Sequence, residues 1–237
     1  TTHLIDTRRH NWNEKLTITS ISCESHIVDG LPYSFGKIVT ASRLNYSHYA
    51  KVYEYQAEVA ILSRNIVIRG DTLSVPTDPQ PSNVVCSDNK RSDVPCSNYY
   101  LTGYGGHVLI SEKASTEISS VEFFRMGQTN HIGRYPIHLH MLQDNGKKSR
   151  IADSSVHESF YRGIVIHATN YSVVTRNVAY DIIGHCYYLE SGNEEFNEIS
   201  YNLGAHIHTI GYLENFVGQE TETVFTEDAT HPAIVPA

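Results

Sequence analysis

Residues 133–140 read GRYPIHLH, and the same form returns at GIVIH (163–167), GHCYYLE (184–190) and GAHIH (204–208). Aligned on a small or turn residue, Pro136-IHLH, Gly163-IVIH, Gly184-HCYY and Gly204-AHIH read as four copies of one strand. The residue four after each anchor is His140, His167, Tyr188 or His208, giving spacings of 27, 21 and 20. A period in the twenties that drifts with loop length is what stacked coils of a parallel β-helix produce.

Alternation along a strand assigns the faces, because successive side chains point to opposite sides. Ile137, Leu139, Ile164, Ile166, Tyr187, Ala205 and Ile207 are predicted to line the interior, with His185 a polar exception among them. His138, His140, Val165, His167, Cys186, Tyr188, His206 and His208 are predicted to form an outward face rich in imidazole. With coils stacked about 4.8 Å apart, His138 and His140 meet His167 of the next coil. On this reading His206 and His208 lie three coil steps away, on the order of 14 Å.

The rest of the chain agrees with an all-β class. Helical periodicity is absent, and short β-branched runs recur, among them KLTITSI, GKIVTA, NIVIRG, HVLIS and EISSVEFF. The sequence predicts one β-helix domain over 1–237, cut from a larger ectodomain. It comprises an N-terminal β region (1–77), a Pro- and Ser-rich inserted loop (78–100) and the coils (101–237). A formal net charge of −8 over 237 residues argues against nucleic acid, whose binding rests on clustered Lys and Arg. No apolar run approaches the roughly 20 residues of a membrane span. Cys86 and Cys96 bracket CSDNKRSDVPC, a loop that a disulfide can close, and Asn45-Tyr-Ser and Asn170-Tyr-Ser are glycosylation sequons. All three features fit an extracellular setting.

Three uses of the histidine face stay open at this level. The rings can be a stacked, internally satisfied ladder. His138, His140 and His167 can hold a divalent metal, zinc or calcium, with Asp144 or Tyr188 adding an oxygen. Alternatively they take part directly in acid–base or sugar-stacking work. Asp144 and Glu190 leave their strands on one side, two coils or roughly 10 Å apart, marginal for the paired carboxylates of a glycosidase.

The run GRYPIHLHM…SSVHESFYRGIVIHATN…NVAYDIIGHCYYLESGNEEFNEISYNLG resembles the parallel β-helix region shared by cell-migration-inducing hyaluronidases, the related transmembrane hyaluronidase and fibrocystin-like receptors. LNYSHYAKVYEYQAEVAILSRNIVIRGD, GGHVLI and VEFFRMGQ are similar to the segments before it, so the likeness covers roughly 35–210. The resemblance implies a secreted or ectodomain right-handed β-helix with a carbohydrate connection. It points to Arg134, His138, His140, Asp144, His157, His167, His185 and Glu190. The chain departs from the hyaluronidase pattern at Gln143-Asp144-Asn145, which has one acid, and at Glu190-Ser191-Gly192.

Two functions follow as expectations. One is an extracellular structural, adhesive or glycan-binding module of a fibrocystin-like protein, whose partners are a glycan or an extracellular protein and whose open coil end is capped by further chain. The other is a hyaluronidase-like glycosidase, with Asp144 or Glu190 as acid or base and Arg134 pairing with a uronate carboxylate.

Overall fold

The computed structural model describes residues 13–49, 56–71, 103–129 and 131–208. The inserted loop at 78–100, with Cys86 and Cys96, lies outside the described residues. The chain divides into two compact units, Thr1–Val59 and Ala60–Ala237, where the sequence reads as one domain.

In the first unit, β1 (Ile18–Val28) and β2 (Leu31–Thr40) form an antiparallel hairpin. Its two-residue turn is Asp29-Gly30, both at positive φ (52° and 80°), the pairing that suits a turn matching strand twist. The Glu14 carboxylate accepts hydrogen bonds from the Asn45 and Tyr46 amides (2.7 and 3.1 Å) and contacts His48 Nε2 at 2.8 Å.

The second unit is a β-solenoid of about four turns. After β3 (Ile66–Arg69), the first coil contains β4 (Val108–Ser111), β5 (Thr116–Ser119) and β6 (Val121–Phe124). The second contains β7 (Ile137–Gln143), β8 (Ser149–Ala152) and β9 (Ser155–Ser159). The third has β10 (Ile164–Thr169), β11 (Val173–Thr175) and β12 (Val178–Ile183), and the fourth β13 (Tyr187–Leu189), β14 (Glu198–Ser200) and β15 (Leu203–His208). Every coil gives one strand to each of three parallel sheets, ordered β4-β7-β10-β13, β5-β8-β11-β14 and β3-β6-β9-β12-β15.

Register places like on like, so apolar residues form continuous interior files. Ile110, Leu139 and Ile166 stack on the first sheet, Ile118, Ile151 and Val174 on the second, Phe123, Val156 and Ala179 on the third. Leu139, Ile151, Val156 and Ala179 are fully buried. Each large aliphatic side chain so buried contributes about 1.5–3 kcal/mol of transfer free energy. Ile137, Leu139, Ile164 and Ile166 are buried as the alternation predicts, whereas Val165, predicted outward, is fully covered and Ile207, predicted inward, is 54% exposed.

The corner between the second and third sheets is built from stacked left-handed residues. Ser120, Asp153, Arg176 and Tyr201 follow one another coil by coil with φ of 59°, 53°, 54° and 54°. Non-glycine residues adopt this conformation at some cost, so neighbouring interactions must hold it. Arg176 Nε and Nη2 donate to both oxygens of Asp153 (2.7 and 2.8 Å), a bidentate pair between coils. The next position carries a polar ladder. Asn177 Oδ1 accepts from the Ser154 amide (3.0 Å), its Nδ2 donates to the Ile151 carbonyl (3.0 Å), and its own amide donates to Asn202 Oδ1 (2.9 Å). These bonds satisfy buried backbone groups that leave the sheet ladder at a corner.

After β7 a 3-10 turn, Asp144–Lys148, lengthens the second coil. Gly146 presses against the next coil, where a Cβ would collide with the Asn170 carbonyl oxygen. Asn170 donates to Asp144 Oδ1 (3.0 Å) and accepts from the Glu195 amide (2.9 Å), so its amide ties the corner together, whereas Asn45 lies exposed.

Asn177→Ala strips three coils of one shared linker and leaves the Ser154 amide and Ile151 carbonyl without that partner. The expected loss is about 1–3 kcal/mol, read as a lower urea midpoint with little change in the slope of the transition.

Candidate ligand site on the histidine face

Register on the first sheet decides the site. Ile137, Ile164 and Tyr187 are paired, as are His138, Val165 and Tyr188. The coil spacings are therefore 27 and 23, and Gly184 is not the start of a strand. It sits at φ +91° in the connection, and Cys186 behind it turns into the core, 6% exposed. The sequence alignment thus slips by two residues in the fourth coil. Corrected, the file after His140 and His167 continues into Glu190, whose amide donates to the Ile166 carbonyl at 2.9 Å.

GAHIH (204–208) belongs to β15 on the third sheet, paired with β12. His206 stacks on Tyr180 there, ring centroids 5.5 Å apart, and does not extend the histidine file. The side chain of His208 lies outside the described residues. His157 is likewise on the third sheet, buried, with Nε2 3.0 Å from Glu122 Oε1.

His138, His140 and His167 come together as the spacing predicts, their ligating atoms all within 4.8 Å of one another. The His138 and His167 rings are stacked (centroids 5.8 Å, 11° between planes), with His140 edge-on to both at 4.9 and 5.0 Å. His138 is not an exposed outward residue as expected; it is only 1% exposed. The strand does point it away from the core, but the preceding segment folds over it. Tyr135 meets its ring edge-on at 4.8 Å, and its Nδ1 lies 3.2 Å from the Gly133 carbonyl. A carbonyl accepts only, so Nδ1 carries a proton and donates it there, which turns Nε2 towards the cluster.

Glu190 lies against this cluster with a side chain 8% exposed. Tyr135 donates its hydroxyl to Oε1 at 2.6 Å, and Arg162 Nη1 donates to the same hydroxyl at 3.2 Å while standing 3.6 Å from Oε1. Oε2 makes no hydrogen bond and faces His138 Nε2 at 3.5 Å and His167 Nδ1 at 3.6 Å. His138 Nε2 is also buried without a hydrogen-bond partner. Burial alone would raise the Glu190 pKa; the His138 contact, the Tyr135 hydrogen bond and the nearby imidazoles outweigh it and hold the carboxyl below its ordinary range. Burial, followed by the charges of His138 and His167, lowers the His140 pKa against the opposing pull of Glu190.

Sequence reasoning left Tyr135 and the buried role of Arg162 unassigned. Both stand two residues before their strands, Tyr135 ahead of Pro136 and Arg162 ahead of Gly163, and that shared offset is the signal. The Arg162 guanidinium lies 4.0 Å from the Tyr188 ring centre and 5.3 and 5.7 Å from Tyr161 and Tyr135, so cation–π contacts surround it. Burial would lower its pKa, yet Tyr161, Tyr135, Tyr188 and Glu190 raise it on balance.

The other expected site residues fall apart from this centre. Asp144 is exposed in the 3-10 turn and bonds Asn170; among the described residues no ion pair joins it to the histidines. Arg134 is exposed at the rim, with Nη1 2.9 Å from His107 Nε2. His107 titrates low, first through burial and then through the charges of Arg134 and His138. The centre therefore gathers three imidazoles and the Glu190 carboxylate, and Asp144 stands apart from it.

Comparisons with known proteins agree on the scaffold. The family model described as CEMIP beta-helix matches residues 103–236. A G8 domain-containing protein of Dictyostelium discoideum is 44% identical over 236 residues, covering 98% of this chain and 13% of its own length. Communication mutant protein F of the same organism is 42% identical over 181 residues (76% of this chain, 14% of its length). Fibrocystin-L of Mus musculus is 34% identical over 227 residues (86% of this chain, 5% of its length). The chain thus spans under one sixth of each of these relatives. No solved structure matches.

Two outcomes test the wiring of the centre. Tyr135→Phe removes a hydrogen bond to a charged acceptor and is expected to cost about 1.5–3 kcal/mol in chemical denaturation. His185 precedes β13 and is pushed down to about 4 by burial and by Arg162. Its folded pKa lies below the unfolded value of roughly 6.5, so the unfolded chain binds the extra proton and stability falls as pH drops from about 6.5 towards 4. His185→Gln is expected to flatten that part of the stability–pH curve.

Proposed function

The chain belongs to the CEMIP beta-helix family, and from that premise we propose that it is the β-helix module of a larger extracellular or cell-surface protein whose histidine face binds glycan. One observation carries the choice of binding over hydrolysis: among the described residues one carboxylate, Glu190, lies within ion-pair distance of His138 and His167. The part-exposed rings of His140 and His167 offer both donors and acceptors to sugar hydroxyls, while exposed Arg134 at the rim suits an acidic sugar. Two-carboxylate hydrolysis needs a second acid about 5–9.5 Å from the first. The expected second acid, Asp144, is tied to Asn170 in the corner instead. Partners are accordingly a glycan or an extracellular protein. Exposed Asn45 is the better sequon for modification, since Asn170 is partly covered and bonded to Asp144 and Glu195 at the corner.

A glycan array on the intact chain, with a reducing-end assay on hyaluronan, tests this reading. The expected outcome is retention of one or more acidic glycans, weakened about tenfold or more in Glu190→Gln, with no chain shortening. Chain shortening that disappears in Asp144→Asn or Glu190→Gln would establish the glycosidase reading in its place.

A further inference from the structure

We infer that His138, His140 and His167, together with Glu190 Oε2, form a four-donor site for a divalent transition ion of the zinc class. This rests on reading the same face as a ligand site and specifies its inorganic component. The first support is the pair of buried atoms without hydrogen bonds, His138 Nε2 and Glu190 Oε2. Buried polar atoms are nearly always partnered, and here two atoms that can each ligate a cation face the same small volume. An ion between them accounts for both.

The distances carry the inference further. In a tetrahedral zinc site with bonds of about 2.0–2.1 Å, adjacent donors stand about 3.3–3.4 Å apart. His138 Nε2 and His167 Nδ1 stand 3.5 and 3.6 Å from Glu190 Oε2, a few tenths of an ångström from that value. The nitrogens, all within 4.8 Å, need a modest inward turn, and His140 is partly exposed, which leaves its ring room to rotate.

Outer contacts already fix the donors. His138 gives its Nδ1 proton to the Gly133 carbonyl, presenting Nε2 as the ligand atom, and Tyr135 with Arg162 anchors Glu190 through Oε1, leaving Oε2 for the ion. Such partners are what hold metal-ligating imidazoles and carboxylates in place. The donor chemistry also selects the ion. Three nitrogens and one oxygen suit zinc, whereas calcium takes six to eight oxygens. The nearby thiol takes no part: Cys186 Sγ turns into the core, 3.8 Å from the Ala179 carbonyl.

The test uses the full 237-residue chain without an affinity tag, loaded with Zn²⁺, dialysed and assayed by elemental analysis, in the absence of any glycan. One zinc per chain is expected, with affinity reduced at least about tenfold in His140→Ala, His167→Ala and Glu190→Gln and unchanged in His206→Ala. Circular dichroism of each metal-free variant checks folding. Co²⁺ in place of Zn²⁺ should give the visible absorption of a tetrahedral nitrogen–oxygen site, lost in His140→Ala. Sub-stoichiometric zinc in the wild-type chain, or equal uptake by a folded His140→Ala/His167→Ala double variant, would overturn the inference. Glycan retention is scored separately with and without chelator, so retention by a chain that takes up no zinc sinks this inference alone, and stoichiometric zinc without any retained glycan sinks the glycan reading alone.

Discussion

Parallel, in-register pairing of successive coils is the interaction on which everything else depends. Adjacent strands stand about 4.8 Å apart, so whatever a coil presents is set directly against the same position in the next. An apolar residue gains by stacking on another, as Leu139 does between Ile110 and Ile166. A charge or polar group must find a complementary partner above or below, as Asp153 finds Arg176 and Asn177 finds Asn202. The left-handed corner residues persist for the same reason: each repeats in the neighbouring coil, so the turn that one coil adopts is supported by the next.

The histidine centre is a consequence of this rule applied to unlike residues. The file of His140, His167 and Glu190 sets two imidazoles and a carboxylate one above another, while His138 joins from the adjacent file. Their burial makes the arrangement costly unless it is hydrogen-bonded, and the Arg162–Tyr135–Glu190 chain meets that need for one carboxylate oxygen. The other oxygen and His138 Nε2 are left facing each other, a polarity the fold concentrates instead of neutralising. Leu142 and Thr169 steady the floor beneath: the Leu142 amide donates to Thr169 Oγ1 at 3.2 Å, and that hydroxyl donates to the His167 carbonyl at 2.9 Å.

Much of this was open to reading from residues alone. The alternation of IHLH and GIVIH places Ile137, Leu139, Ile164 and Ile166 inward, and the distance between the two anchors matches the true register of β7 on β10. The alignment breaks at a glycine that does not start a strand. Gly184 resembles Gly163 in its setting, yet Gly184 adopts a positive φ within the connection, so β13 begins later. The alignment breaks again at Gly204, because alternation reports which side of a sheet a residue faces but not which of three sheets it lies on.

The solenoid class, the inward placement of Ile137, Leu139, Ile164 and Ile166 and the meeting of His138, His140 and His167 are legible in the residues, because they follow from local alternation and a roughly constant coil length. Tertiary structure alone decided that Glu190 completes the group, that Asp144 does not, and that His138 is buried. Those outcomes turn on a two-residue shift in one connection, on the corner bond between Asp144 and Asn170, and on the fold of residues 133–135 over a ring. Each is a packing choice between segments far apart in sequence, where no local periodicity records the answer.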